Sequence, residues 1–347
     1  MFSMKKGFIA ILTVMMACVL MLTACGKPEN KGAEQQVHST PAAGANTEDT
    51  VKETASSKPA EAPAADEART VKHAMGETVL TGTPERVVVL TQEGTEAVLE
   101  LGITPVGAVN SGLGDSWFPH IADHMQGVTE LGDESQPNVE LILELQPDLI
   151  IGNKVRHELI YDQLKEIAPT VFSEDLAGQW KNNFKLYSEA LGKTVEGEAA
   201  LASYDAHIEE AKSKLDGQLS KEVSIVRFLP QAVRIYQKDT FAGVILQDLG
   251  FARPASQDVD NFMEVIDKER IADMDGDVMF YFNADYDEEK GGTLNQQEWM
   301  NDPLYASLNI AKNDTAFQVD EIVWNLSGGI QAANLLIDDI VRYMEGL

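Results

Sequence analysis

The chain has 347 residues, of which 56 are acidic and 27 basic, for a formal net charge of −29. A chain this acidic is repelled by phosphate backbones and anionic head groups, which argues against nucleic acid as a partner. Its two cysteines, Cys18 and Cys25, both lie near the N-terminus, so the body has no thiol for a disulfide, a cysteine-ligated zinc site or a nucleophile.

Residues 1–24, MFSMKKGFIAILTVMMACVLMLTA, open with Lys5 and Lys6, continue as an uncharged apolar stretch and end on small residues. That is the layout of a cleaved secretory signal peptide. The alternative is an uncleaved anchor, since residues 7–24 approach the length of a bilayer-spanning helix. The run Leu22-Thr23-Ala24-Cys25-Gly26 resembles the lipobox of bacterial lipoproteins. The resemblance implies lipidation of Cys25 and a chain anchored on the extracellular face of the cell membrane. Cleavage removes two lysines and no acid, leaving 25 basic against 56 acidic residues, or −31. Residues 26–70 contain no aromatic residue and no Leu, Ile or Met, so they cannot bury enough apolar surface to offset their ordering entropy. Together with Cys25 they read as a disordered tether over 25–70, with a coil dimension of roughly 35 to 40 Å.

The remaining 277 residues, 71–347, exceed what one core usually serves, so two lobes are expected. Short β-branched runs alternate with helical stretches. Strand Arg86–Thr91 precedes helix Thr95–Leu101; strand Pro105–Val109 follows, then helix Val139–Leu145, strand Asp148–Gly152, helix Glu158–Ile167 and strand Thr170–Phe172. This alternation predicts an α/β fold with a mostly parallel, helix-covered sheet. Leu201, Tyr204, Ile208, Ala211 and Leu215 recur at helical spacing, predicting a helix over Thr194–Leu215 about 30 Å long. Strands Val223–Leu229, Val233–Tyr236, Val278–Phe282 and Phe317–Asp320 follow, then a helix over Gly328–Met344. One local pattern occurs twice: Glu140 and Glu269 each stand eight residues before an Asp (Asp148, Asp277), which opens a buried strand reaching an Asn (Asn153, Asn283).

The segments PERVVVLTQEGTEAVLELGITPVGAV, PNVELILELQPDLIIGNKVR, VRIYQKDTFAGVILQDLGF and EWMNDPLYASLNIAKNDTAFQVDEIVWNLSGGIQAANLLIDDI resemble the ferric-siderophore-binding lipoproteins of Gram-positive ABC importers, in family order across 71–347. Within that family they look most similar to receptors for hydroxamate and citrate-hydroxamate siderophores. The resemblance implies the helical-backbone binding-protein fold: Rossmann-like lobes at 71–193 and 218–347 joined by a helix at 194–217, with ligand in the cleft between. It also implies a monomer that needs no cofactor, because the iron keeps the siderophore's own oxygens. The partners implied are the ferric siderophore, the permease subunits and, through the lipid, the membrane.

Ligands in open α/β sheets sit beyond the carboxyl ends of strands, where Arg156 and Arg227 fall in the sequence. The resembled family places a ligand-binding arginine at the position of Arg156. A guanidinium's fixed fork of donors suits hydroxamate and carboxylate oxygens; an ordinary salt bridge is the competing role. Arg234 shares a strand face with Tyr236, lining either the cleft or a sheet edge. Lys154 and Lys238 are the other cations near these strand ends. Trp117, Trp324, Tyr236, Phe241 and Trp299 are candidate apolar walls, with Phe241 and Trp299 reading more readily as packing residues, and Asn325 is a candidate donor. Glu140 and Glu269 match the exposed glutamates by which the family's lobes meet arginine pockets on the permease, unless they merely complement helix N-termini.

Three other readings compete. Haem or a corrinoid would suit the same fold. A His-ligated metal receptor would build on His120, Asp123 and His124, but His73, His157 and His207 are scattered. A tethered hydrolase would need a nucleophile, yet no G-x-S-x-G elbow, Walker loop or G-x-G-x-x-G is present. The sequence reads as a binding protein and not an enzyme.

Overall fold

The computed structural model describes residues 68–286 and 288–347. The signal peptide, Cys25 and tether residues 25–67 lie outside the described residues. Ala68, Arg69 and Thr70, assigned to the tether from composition, instead begin strand β1 (Ala68–His73), which pairs antiparallel with β2 (Gly76–Thr81). The Arg69 guanidinium donates to backbone carbonyls of Gly82, Glu189 and Ala190. Those contacts clamp the hairpin to the body, and composition alone gives no sign of them.

The first lobe continues through β3 (Val87–Val89), α1 (Gln92–Glu100), β4 (Gly107–Ala108), β5 (Thr129–Glu130), α2 (Val139–Leu145), β6 (Leu149–Asn153), α3 (Lys154–His157), α4 (Tyr161–Ile167), β7 (Thr170–Ser173) and α5 (Trp180–Ala190). Its sheet has the order β5-β4-β3-β6-β7 and is parallel throughout. Helix α6 (Thr194–Lys214) then runs out of the lobe, burying Leu201, Tyr204, Ile208 and Ala211, the residues its periodicity marked. The second lobe holds β8 (Val223–Leu229), β9 (Ala232–Tyr236), α7 (Phe241–Leu249), β10 (Met263–Ile266), β11 (Val278–Asn283), α8 (Gly291–Met300), α9 (Asn309–Lys312), β12 (Ala316–Gln318) and α10 (Ile330–Met344). Its sheet, β10-β9-β8-β11-β12, is mixed: β8, β11 and β12 are parallel, whereas β9 is antiparallel to both neighbours. A tight β8–β9 hairpin replaces the helical crossover that a fully parallel sheet would require.

The repeated pattern is structural. Asn138 accepts from the N–H groups of Glu140 and Leu141, and Asp267 accepts from those of Glu269 and Arg270, so equivalent caps open equivalent turns. Asp148 accepts from the N–H groups of Glu85 and Arg86, and Asp277 from that of Glu222. Each aspartate thereby ties its own strand to the start of the neighbouring central strand. Thr91 and Thr240 also correspond: each caps a helix by accepting from the N–H of a glycine three residues on, Gly94 or Gly243, at 3.0 Å.

One apolar core spans both lobes. It joins Val87, Val89 and Ile151 of the first sheet to Phe184 and Tyr187 of α5 and Tyr204 of α6, and continues to Ile245 of α7, Phe280 of β11 and Leu336 of α10. The Asp248 carboxylate in α7 accepts from Tyr204 at 2.7 Å and pairs with Lys181 of α5, tying both lobes to the long helix. The far face of the second sheet has a separate core, including Val226, Phe228, Ile235 and Trp299.

Gly243 shows how close this packing is: a Cβ there would lie 2.3 Å from the Gln237 carbonyl oxygen and 2.8 Å from that of Lys238. Backbone cannot yield as a side chain does. Gly243→Ala should destabilise the protein by about 1–3 kcal/mol, read as a lower thermal midpoint, whereas an unchanged midpoint would show that the α7 turn tolerates a methyl group.

Candidate functional site

A cavity of about 770 Å³ opens between the lobes. Its first-lobe wall is built mainly from segments that follow the carboxyl ends of all five parallel strands: residues 91–93 at the start of α1 after β3, 110–111 after β4, 133–135 after β5, 155–156 in α3 after β6 and 175–177 after β7. This is where an open α/β sheet leaves room for ligand. The second-lobe wall is built from Arg227 of β8, Arg234 and Tyr236 of β9, Asp239, Phe241, the 261–262 turn and residues 325–328.

Arg227 and Arg234 are register partners on adjacent antiparallel strands. Directly opposed like charges destabilise a sheet unless something offsets them. Arg227 is offset: its Nη2 lies 2.6 Å from Glu321 Oε1, with the two side chains only 11% and 9% exposed. Arg227 also donates to Tyr236 at 3.3 Å and to Tyr286, while the Tyr286 hydroxyl donates to Glu321 at 2.9 Å. Burial raises the Glu321 pKa, and Arg227 pulls it back. The Arg234 side chain has no hydrogen bond or ion pair among the described residues, and its Nε is buried without a partner. Arg234 therefore keeps its guanidinium uncommitted at the cleft wall, whereas the Nη atoms of Arg227 are engaged by Glu321, Tyr236 and Tyr286.

Arg156 faces them from α3 at the first-lobe wall. Its Nε lies 3.3 Å from Glu134, which also accepts from the Gln92 N–H at 3.2 Å. Burial raises the Glu134 pKa, with the Gln92 bond and Arg156 opposing it. Glu93, in the first turn of α1, lines the same wall with its carboxylate buried beside Asn183 and Tyr187. Its pKa is pushed up to about 8, chiefly by burial, while neighbouring Asn183 and Tyr187 offset part and Glu134 and Glu96 add repulsion. Burial thus favours the neutral carboxylic acid, which can donate a hydrogen bond.

Of the candidate residues, Arg156, Arg227, Arg234, Tyr236, Phe241 and Asn325 line the cleft. Arg227 sits within its strand, not at the exit, and reaches the cleft from the sheet face. Strand β9 is an interior strand, which resolves Arg234 in favour of the cleft. The three tryptophans are corrections. Trp324 is fully buried against Phe280, with ring centroids 4.7 Å apart, and donates its indole N–H to Asp339 at 3.1 Å. Trp299 belongs to the core on the far face of the second sheet. Trp117 packs on a small cluster of Phe118, Ile121 and Met125, and it is Phe118 that reaches the cleft.

Lys154 and Lys238 are engaged elsewhere, with Glu174 at 2.6 Å and with Asp258 and Asp260 at 3.2 and 2.8 Å. His120 lies 2.8 Å from Glu96, which also accepts from the Ala332 N–H and so links α1 to the start of α10. Sequence reasoning missed Gln92, Glu93, Asn110, Ser111, Glu134, Asp175, Asp239, Asn261 and Phe262. The first-lobe members each follow the end of a strand, so the strand-end rule could have found them. Asn261 and Phe262 precede β10, an edge strand too short to stand out.

Glu140 and Glu269 are both exposed, and neither has an ion-pair partner among the described residues. Their corresponding caps place them at matching positions in the two lobes.

A family model described as periplasmic binding protein matches residues 87–323. A probable siderophore-binding lipoprotein of Bacillus subtilis is 45% identical over 97% of this chain and 98% of its own length. An achromobactin-binding periplasmic protein of Dickeya dadantii is 30% identical over 75% of this chain and 86% of its own. Among solved structures, Staphylococcus aureus SirA complexed with staphyloferrin B superposes with a TM-score of 0.74 at 35% identity, covering 79% of this chain and 98% of that one.

The state of Glu93 has a thermodynamic consequence. The unfolded side chain loses its proton near 4.5 and the folded one near 8, so between these values the native state binds more protons. Stability attributable to this group is complete below pH 4.5 and declines as pH rises through 8. Glu93→Gln should therefore raise the thermal midpoint more at pH 8.5 than at pH 5, by ~2 kcal/mol or more in stability at the higher pH. Equal shifts at the two pH values would show that Glu93 ionises normally.

Proposed function

The chain belongs to the periplasmic binding protein family, and we propose that it is a membrane-tethered receptor that captures a ferric siderophore in the interlobe cleft and hands it to an ABC permease. The observation that carries this reading is the cross-strand pair Arg227 and Arg234, facing Arg156 across a cleft of about 770 Å³. A ferric siderophore presents the oxygens that hold its iron and an apolar body. The arginines supply forked donors for the oxygens. Phe262, 41% exposed, supplies apolar surface on the second-lobe wall, with Phe118, Tyr236 and Phe241 as buried backing of the two walls. Iron is cargo held by the siderophore, so the receptor contributes no ligand to it and performs no turnover. The Bacillus subtilis relative at 45% identity is named for siderophore binding, which supports this cargo over haem or a corrinoid.

The siderophore class we propose is hydroxamate or citrate-hydroxamate. The cleft mixes its three arginines with Asp133, Glu134, Asp175 and Asp239, so it suits a complex of low net charge better than a strongly anionic one. A relative named as an Fe(3+)-citrate-binding protein, 26% identical, is consistent with a citrate-containing ligand. The protein would act as a monomer, lipidated at Cys25 on the extracellular face of the membrane, with residues 26–67 spacing the body from it. Glu140 and Glu269 would engage the permease together, each lobe raising the effective concentration of the other's contact.

Two measurements test these roles. Arg227→Ala and Arg234→Ala should each weaken binding of a ferric citrate-dihydroxamate at least about tenfold in calorimetric titration, as expected for a lost charged hydrogen bond, with unchanged circular dichroism. Full affinity in both variants would remove the arginines from the site, and haem binding in place of every ferric siderophore would change the cargo. A Glu140→Ala/Glu269→Ala double variant should bind ligand normally yet support little iron uptake in cells, and normal uptake would refute the docking role.

A further inference from the structure

Glu321 stands out among the groups around the cleft because it opposes the residue most suited to an anionic ligand. Resting on the siderophore reading above, we propose that Glu321 is a built-in counter-charge that sets the charge selectivity of the receptor, admitting ferric complexes of low net negative charge over polyanionic ones.

Three observations place the carboxylate there as a fixed feature. Its distance from Arg227 is 2.6 Å and both side chains are about nine-tenths buried, so this is not a pair that solvent screens away. It is held from a second side by the Tyr286 hydroxyl at 2.9 Å. Its backbone leads into a π-helical turn, Ile322–Leu326, anchored by fully buried Trp324. Such turns are uncommon and recur at functional sites. The continuation of this turn, residues 325–328, itself lines the cleft, so the carboxylate is carried on the wall that meets the ligand.

The charge balance follows from this placement. Arg227 and Arg234 would give the second-lobe wall two adjacent positive charges, but Glu321 cancels one and leaves the unpartnered Arg234 as the net cation. On the facing wall Glu134 lies 3.3 Å from Arg156, a more exposed pair that offsets part of that charge. A single extra negative charge on the ligand is therefore met by Arg234, whereas further charges meet carboxylates. The arrangement keeps Arg227 as a hydrogen-bond donor while withholding its charge.

The test measures affinity for three ferric complexes by calorimetry: a neutral trihydroxamate, a citrate-dihydroxamate and a tricatecholate carrying about three negative charges. In E321Q, which keeps the size and the hydrogen bond to Tyr286, affinity for the tricatecholate should rise about tenfold or more relative to the neutral complex, the scale of one uncancelled charge a few ångströms away. Y286F, which frees the carboxylate from one partner but keeps its charge, should retain the wild-type ratio. The double variant R227Q/E321Q removes both charges and should also retain it, although all ligands bind more weakly.

An unchanged ratio in E321Q, or an equal change in Y286F, would overturn the proposal. Should E321Q fail to fold, R227Q alone should disfavour the tricatecholate, and R227Q/E321Q should restore the wild-type ratio; failure of that restoration would equally overturn it. If the wild type binds none of the three complexes, the siderophore reading falls and this inference falls with it. Wild-type binding with unaltered ratios removes the inference alone.

Discussion

The apolar core that runs without interruption from one lobe to the other is the constraint on which the rest of the structure depends. Two sheets that each buried only their own faces would be free to hinge widely. Here α5, α6, α7 and α10 share one buried cluster, and Asp248 joins Tyr204 and Lys181 beneath it. Near the cleft, the Gly178 N–H donates to the Asp239 carbonyl at 3.1 Å, and a Cβ on Gly178 would stand 2.6 Å from that oxygen. Backbone from the two lobes meets there with no room for a side chain. Large opening would have to break this packing.

Within that frame the cleft is organised by opposed charges. A sheet pairing Arg227 with Arg234 accepts a repulsion that it relieves through Glu321 on one side only. The first lobe answers with Arg156 against Glu134, and with Glu93, whose burial favours its protonated form. Buried polar atoms without partners are costly; among the described residues that line the cleft, the Nε atoms of Arg227 and Arg234 and the Ser327 hydroxyl are of this kind.

The duplicated elements give the two lobes a common construction with different outcomes. Asn138 and Asp267, Asp148 and Asp277, and Thr91 and Thr240 perform the same local tasks in each lobe. The first lobe then completes a parallel sheet and offers loop ends to the cleft. The second turns β9 back antiparallel and offers a sheet face, which is how strand side chains such as Arg234 and Tyr236 become site residues.

By itself the sequence determined the alternating α/β elements, the extent of α6, the repeated Glu-to-Asp unit and the importance of cations in an acidic chain, because periodicity, capping and charge are local properties. It also carried the family resemblance that the match over 87–323 sustains. The tertiary structure decided which aromatics meet ligand. Trp324 lies in the turn after β12 and Trp299 in α8, yet the layers above them bury both. It also decided the pairing of Arg227 with Arg234 and the counter-charge at Glu321, 94 residues away along the chain from Arg227. Sequence spacing sets which face of its own strand a side chain occupies, whereas burial and electrostatic partners come from segments that only folding brings together.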